Sequence, residues 1–167
     1  MGIELRKVAV TDDMDIYEML QELPADENGF INRAAGMRFD EYKEWLKDKV
    51  QNAEQTGIVD GWKVPATTFW LYEDGRPVGC GSVRHFLTDK LLEQGGNIGY
   101  SIRPSDRNRG LGKVLLSLLI NESGKMGIDR LLLTIQNGNL PSLHVALANG
   151  GKIEKTTEER SYVWITL

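Results

Sequence analysis

Residues 98–113, reading IGYSIRPSDRNRGLGK, constrain this chain more than any other stretch. Apolar and aromatic residues from Ile98 predict a strand, and Pro104 stops it because proline has no N–H to give to a ladder. A polar, basic loop follows. Gly110 and Gly112 then open a helix over 110–126, with Leu111, Val114, Leu115, Leu118 and Leu119 predicted on one face and Gly127 as its cap. The apolar run 130–135 reads as a buried strand.

The rest of the chain fits around this unit. Residues 3–10 read as a strand and 12–23 as a helix, with acids at its start and Pro24 at its end. Residues 25–38 read as irregular. The stripe Phe39, Tyr42, Leu46 and Val50 predicts a helix over about 40–55, closed by Gly57, with a loop at 57–66. Strands are predicted at 67–72 and 78–86 around an Asp74-Gly75 turn, with a connection at 87–96. A short helix over 140–149 and two strands near 152–157 and 160–166 close the chain. The expectation is a single α/β domain over 1–167, with a mixed central sheet of about seven strands flanked by helices.

Composition narrows the function classes. The chain has 167 residues, 41% of them apolar, and a net charge of -4, which argues against a nucleic-acid-binding surface. The single cysteine, Cys80, has no internal partner, and no Cys/His spacing suits a metal. No apolar run is long enough to span a bilayer, and acids at 4, 12, 13 and 15 exclude a secretory leader within the first twenty residues. A cytoplasmic, metal-independent protein is expected, with no membrane partner.

A helix N-terminus offers unpaired backbone N–H groups and a partial positive charge, and glycine lets a bulky anion approach them closely. With Arg103, Arg107, Arg109 and Lys113 nearby, the 107–113 turn reads as a diphosphate cradle. It is not a Walker A loop, because Val114 follows Gly112-Lys113 where Ser or Thr is needed. It is not a dinucleotide fingerprint, because Leu115 stands at the third glycine position.

The pattern that fits is Arg/Gln-x-x-Gly-x-Gly/Ala, here Arg107-Asn108-Arg109-Gly110-Leu111-Gly112. With the preceding Gly99-Tyr100 strand and the later Asn139-Leu140-Pro141-Ser142 helix start, the chain resembles the GNAT (GCN5-related N-acetyltransferase) superfamily. The resemblance implies an acetyl-CoA-dependent N-acetyltransferase that uses acetyl-CoA as co-substrate. The pyrophosphate would lie on amides of Asn108 to Lys113. The pantetheine arm would pair with the strand at Ser101, Ile102 and Arg103, and Asn139 would contact the arm near its thioester. The acceptor would be the amine of a small molecule, an amino acid or a peptide, in a pocket shaped by 25–38 and 57–66.

Two positions depart from that family's pattern. The tyrosine seven residues after the asparagine, a general acid in many members, is Ala146, and a glutamate used by some as a base is Asn97. Ser142, Tyr100 or Tyr162 could supply the acid. His85 and Glu27 are the candidate bases, since an attacking ammonium must lose a proton. An acyl-CoA sensor without turnover is the alternative, and a nucleotide-phosphate protein of another class is a third reading. Paired terminal strands would allow a homodimer.

Overall fold

The computed structural model describes residues 2–54 and 61–167. Gly57 and the first part of the expected 57–66 loop lie outside the described residues. In chain order the elements are β1 (Ile3–Lys7), α1 (Met14–Glu22), β2 (Asp26–Glu27), β3 (Phe30–Ile31), α2 (Phe39–Glu54), β4 (Ala66–Glu73), β5 (Arg76–Arg84), α3 (Asp89–Glu93) and β6 (Ile98–Ile102). A 3-10 turn (Pro104–Asp106), α4 (Leu111–Lys125), β7 (Arg130–Gln136), α5 (Leu140–Ala148), β8 (Lys152–Thr156) and β9 (Arg160–Thr166) complete the chain.

The seven long strands form two half-sheets, ordered β1-β4-β5-β6 and β7-β9-β8, and every ladder within them is antiparallel. β6 and β7 are joined by α4, the helical crossover that links neighbouring strands. Asn97, the residue before β6, ties the two half-sheets together. Asn97 gives its main-chain carbonyl to Arg84 N (2.7 Å) and its main-chain N–H to Leu132 O (2.8 Å). Its side-chain Oδ1 accepts from Leu132 N (2.8 Å), and its Nδ2 donates to Arg84 O (3.1 Å). One amide side chain thus completes both ladders at the point where they part. Beyond it, among the described residues, β6 has no strand partner on its β7 side.

Two cores cover the two faces of the sheet. Leu111, Leu115, Leu116 and Leu119 of α4 pack with Val83, Ile98, Leu131, Leu133 and Ala146 on one face. Each such buried side chain contributes about 1.5–3 kcal/mol. Val114, expected on the buried stripe, turns outward, and Leu116 takes its place. On the other face α1 and α2 bury Ile16, Met19, Leu20, Tyr42 and Leu46 against Trp70, Tyr72 and Cys80.

Segment 25–38 is not wholly irregular. Asp26–Glu27 and Phe30–Ile31 form a small hairpin around Asn28 (φ 53°) and Gly29 (φ 85°), both left-handed as a primed turn requires. Phe30 lies over β6 at Gly99, where an added Cβ would meet its ring at 3.3 Å. The 87–96 connection contains α3, whose first turn is capped by Thr88 Oγ1 accepting from Leu91 N at 3.3 Å. β8 is a free sheet edge, exposed along its length. Among the described residues no helix is long and apolar enough to cross a membrane.

Candidate acyl-transfer site

The parting of β6 from β7 opens a cleft of about 880 Å³. β6 has two kinds of residue. Asn97 and Arg103 bond β5, through Arg84 N→Asn97 O and Arg103 N→Val78 O, so the alternate residues Ile98, Tyr100 and Ile102 turn their peptide groups toward the cleft. Of the three strand positions expected to meet a ligand, Ile102 therefore has the right orientation. Ser101 and Arg103 direct their main chain to β5, and Tyr100 joins Ile102 on the open side. Ser101 is also buried.

At the far end of β6 the chain turns through Pro104–Asp106 into α4. Asn108 (φ 63°) and Gly110 (φ 78°) are both left-handed, which curls the intervening peptides into a concave nest. No main-chain N–H from Asn108 to Lys113 donates a hydrogen bond to another described residue. Six donors are thus left unpaired among the described residues at the positive end of a fifteen-residue helix. A Cβ at Gly112 would find no atom closer than Val145 at 3.8 Å, with Tyr100 and Ile102 at 3.9 Å, so this position faces the seam between β6 and α5.

The basic patch is less available than its sequence suggests. Arg103 pairs with Glu22 (3.3 Å), and Arg109 pairs with Glu73 (2.7 Å) and Asp106 (3.4 Å). Arg107 binds both oxygens of Glu27 (2.5 and 2.9 Å) and donates from Nε to Ile102 O (2.9 Å). Among the described residues only Lys113 of the four has no carboxylate within 4.0 Å. Unpaired main-chain donors, rather than free cations, distinguish this turn. Glu27, expected as a possible base, is tied to Arg107 on the β2–β3 hairpin at the cleft's edge.

Across the opening, Asn139 caps α5, its Oδ1 accepting from Ser142 N at 3.4 Å. Ser142 Oγ lies 3.2 Å from Tyr100 Oη, so β6 and α5 are bridged by two hydroxyls over the cleft. Burial raises the Tyr100 pKa, and the Ser142 contact opposes that. Asn139, Ser142, Tyr100 and Glu27 all line the cleft. His85 does not. Its Nε2 bonds Thr67 Oγ1 (2.8 Å), and its pKa is lowered by burial and then by Lys7. Tyr162 is also turned away, donating to Glu93 O at 2.7 Å. Ala146 is fully buried in the core, with its carbonyl receiving Gly151 N at 2.9 Å. Asn97 is saturated by its four bonds and serves the sheet. Cys80 is buried, and its thiol is pushed up to about 12 by burial. Among the described residues no cluster of His, Cys, Asp or Glu is placed to hold a metal ion.

The primed turn at Asn28-Gly29 was the signal for the hairpin that carries Glu27 and Phe30. Tyr100's main chain could have been assigned from strand parity once a β5 contact was known, and sequence alone does not fix that parity.

An α/β domain whose sheet splits beside a main-chain anion cradle has the architecture of an acyl-CoA-dependent transferase. Residues 31–150 match the family model described as Acetyltransferase (GNAT) family, and the chain belongs to that family. No curated protein matches it in sequence. Among solved structures it is similar to RimL, a ribosomal alpha-N-protein acetyltransferase in complex with coenzyme A, at TM-score 0.76 and 14% identity, covering 100% of this chain and 95% of that one. A GNAT-family acetyltransferase from Streptococcus pneumoniae matches at TM-score 0.69 and 17% identity over 99% of both chains. The acetyltransferase yncA from Salmonella typhimurium, with its cofactor acetyl-CoA, matches at TM-score 0.64 and 16% identity over 100% and 95%.

Proposed function

We propose that this protein moves an acetyl group from acetyl-CoA to a primary amine by direct attack. The observation that carries the reading is the run of unpaired N–H donors at 108–113, joined to the cleft through Tyr100, which lines it and lies 3.9 Å from a Cβ built on Gly112. These donors, with Lys113, suit a diphosphate. The open-side peptide of Tyr100 and the N–H of Ile102, whose carbonyl is taken by Arg107, suit an amide-bearing arm, and Asn139 lines the same cleft.

When bound, acetyl-CoA supplies an activated thioester carbonyl. The chain's own groups bind and orient, and they manage two protons. Tyr100 Oη, which burial keeps protonated and Ser142 steadies, would be placed to give a proton to the leaving sulfur. Glu27 would take up the proton lost by the amine if its pair with Arg107 opened. His85 lies outside the cleft and is set aside as a base. Phe30 of the hairpin would pack over the arm at Gly99.

The test is calorimetry with coenzyme A beside a thiol-release assay over a panel of amines. Gly112→Asp is expected to fold, since a Cβ there meets only ordinary contacts, and to lose CoA binding by at least about 100-fold through charge repulsion. Unchanged CoA affinity in that variant rejects the cradle. Tight CoA binding without release for any amine would instead support the sensor reading, which the Arg107–Glu27 pair favours by occupying the candidate base. Stabilisation by ATP over CoA would support the nucleotide reading.

A further inference from the structure

The cleft wall contributed by α2 and the end of β5 carries charge that the transfer reading leaves unused. Arg33 after β3, Lys49 on α2 and Arg84 at the end of β5 all line it. Among the described residues none of the three has a carboxylate within 4.0 Å, in a chain whose net charge is -4. Arg84 is fixed in place. Its Nη1 donates to Gly95 O (3.2 Å) and Gly96 O (3.1 Å), while Nε and Nη2 have no acceptor among the described residues. Lys49 Nζ lies 5.5 Å from the Trp45 ring centre. These cations repel one another: burial, then Arg33, then Arg84 lower the Lys49 pKa, and Asp48 opposes them. Lys63 lines the same cleft and adds positive charge, Glu27 there is neutralised by Arg107, and Arg160 pairs with Glu159, so Arg33, Lys49, Lys63 and Arg84 stand against a single lining carboxylate outside those pairs, Asp48. Such crowding costs stability unless an anion relieves it.

We infer that the acceptor amine carries an anionic group, a carboxylate or a phosphate, seated among Arg33, Lys49 and Arg84, with its hydrocarbon part against Trp45 and Trp62. The inference rests on the transfer reading, because it takes this cleft as the acceptor side. It narrows the substrate class to anionic small-molecule amines and sets aside polyamines and other polycations, which the cluster repels. Three cations and an aromatic wall suit an amino acid or an amino phosphate.

The experiment uses matched pairs that differ by one anionic group: tryptophan with tryptophanamide and tryptamine, and phosphoethanolamine with ethanolamine. Each is titrated by calorimetry into the full chain with and without CoA, and each is assayed for thiol release. In at least one pair the member with the carboxylate or phosphate should bind about 10- to 100-fold more tightly than the member without it. Lys49→Met and Arg33→Met, which keep an apolar stem, should shrink that preference at least several-fold while CoA affinity is unchanged. The carboxylate and phosphate arms identify which anion is held. Equal affinity within every pair, preference for the members that lack the anionic group, or no binding by any member overturns the inference. Release from amines without an anionic group in that case leaves the transferase reading standing, whereas absence of CoA binding to the unaltered chain defeats the transferase reading itself.

Discussion

Asn97→Leu removes the residue that stitches the two half-sheets, and its cost can be worked from the geometry. Leucine has the same branched arrangement of four side-chain heavy atoms but no amide, and its extra bulk can only add to the cost. Leu132 N–H loses Oδ1 at 2.8 Å, and Arg84 C=O loses Nδ2 at 3.1 Å. Asn97 itself is only 3% exposed, so water does not readily replace either partner. A buried group left unpaired costs about 1–3 kcal/mol, so two cost about 2–6 kcal/mol. In a domain of this size each kcal/mol lowers Tm by about 2–4 °C, which puts the expected fall at about 4–24 °C. Asn97→Asp keeps the acceptor and loses the donor, and its carboxylate faces the Arg84 carbonyl. That variant should be weakest at neutral pH and recover in acid, where a protonated carboxyl can again donate. Urea unfolding followed by tryptophan fluorescence measures both. A loss below about 1 kcal/mol for Asn97→Leu would refute the stitch, because a peptide group that tolerates desertion is not buried as described.

Glu27→Gln should tighten CoA binding about 2- to 5-fold by releasing Arg107 from a half-exposed ion pair, and should lower kcat; weaker CoA binding by calorimetry would contradict this. Tyr100→Phe should cut kcat about 100-fold with CoA affinity unchanged, and an unaltered kcat would move the acid role elsewhere. The His85 pKa lies below 6.5 in the folded protein, from burial and then from Lys7, so the native state resists protonation that the unfolded chain accepts. Stability is therefore full above about pH 6.5 and falls as the pH drops through the folded pKa; His85→Gln should flatten that slope in thermal melts. Cys80, pushed up to about 12 by burial, should stay silent to Ellman's reagent in the native protein and react as the chain's single thiol on unfolding.

Long, strongly patterned elements were legible in the sequence. The helix expected at 110–126 is Leu111–Lys125, and the strand expected at 130–135 is Arg130–Gln136, because leucine spacing and an unbroken apolar run leave few alternatives. The Asp74-Gly75 hairpin turn was equally plain, with both residues at positive φ. What escaped was set by long-range partners. Arg103, Arg107 and Arg109 look like free cations until Glu22, Glu27 and Glu73 arrive from 36 to 81 residues away. Asn97 reads as a vacant base position until Leu132 and Arg84 occupy its amide. α3 was too short for periodicity to show. Val114 and Leu116 exchanged faces because a fully apolar helix segment does not declare its own rotation.

The N–H groups at 108–113 belong to the main chain, so among substitutions only proline removes one outright. Replacing Arg107, Arg109 or Lys113 by another side chain would change the charge around this turn and leave its donors in place, as long as the left-handed bends at 108 and 110 hold. A carboxylate set among those donors, as in Gly112→Asp, is a different kind of change, because it fills and charges the space in front of groups that no side chain supplies.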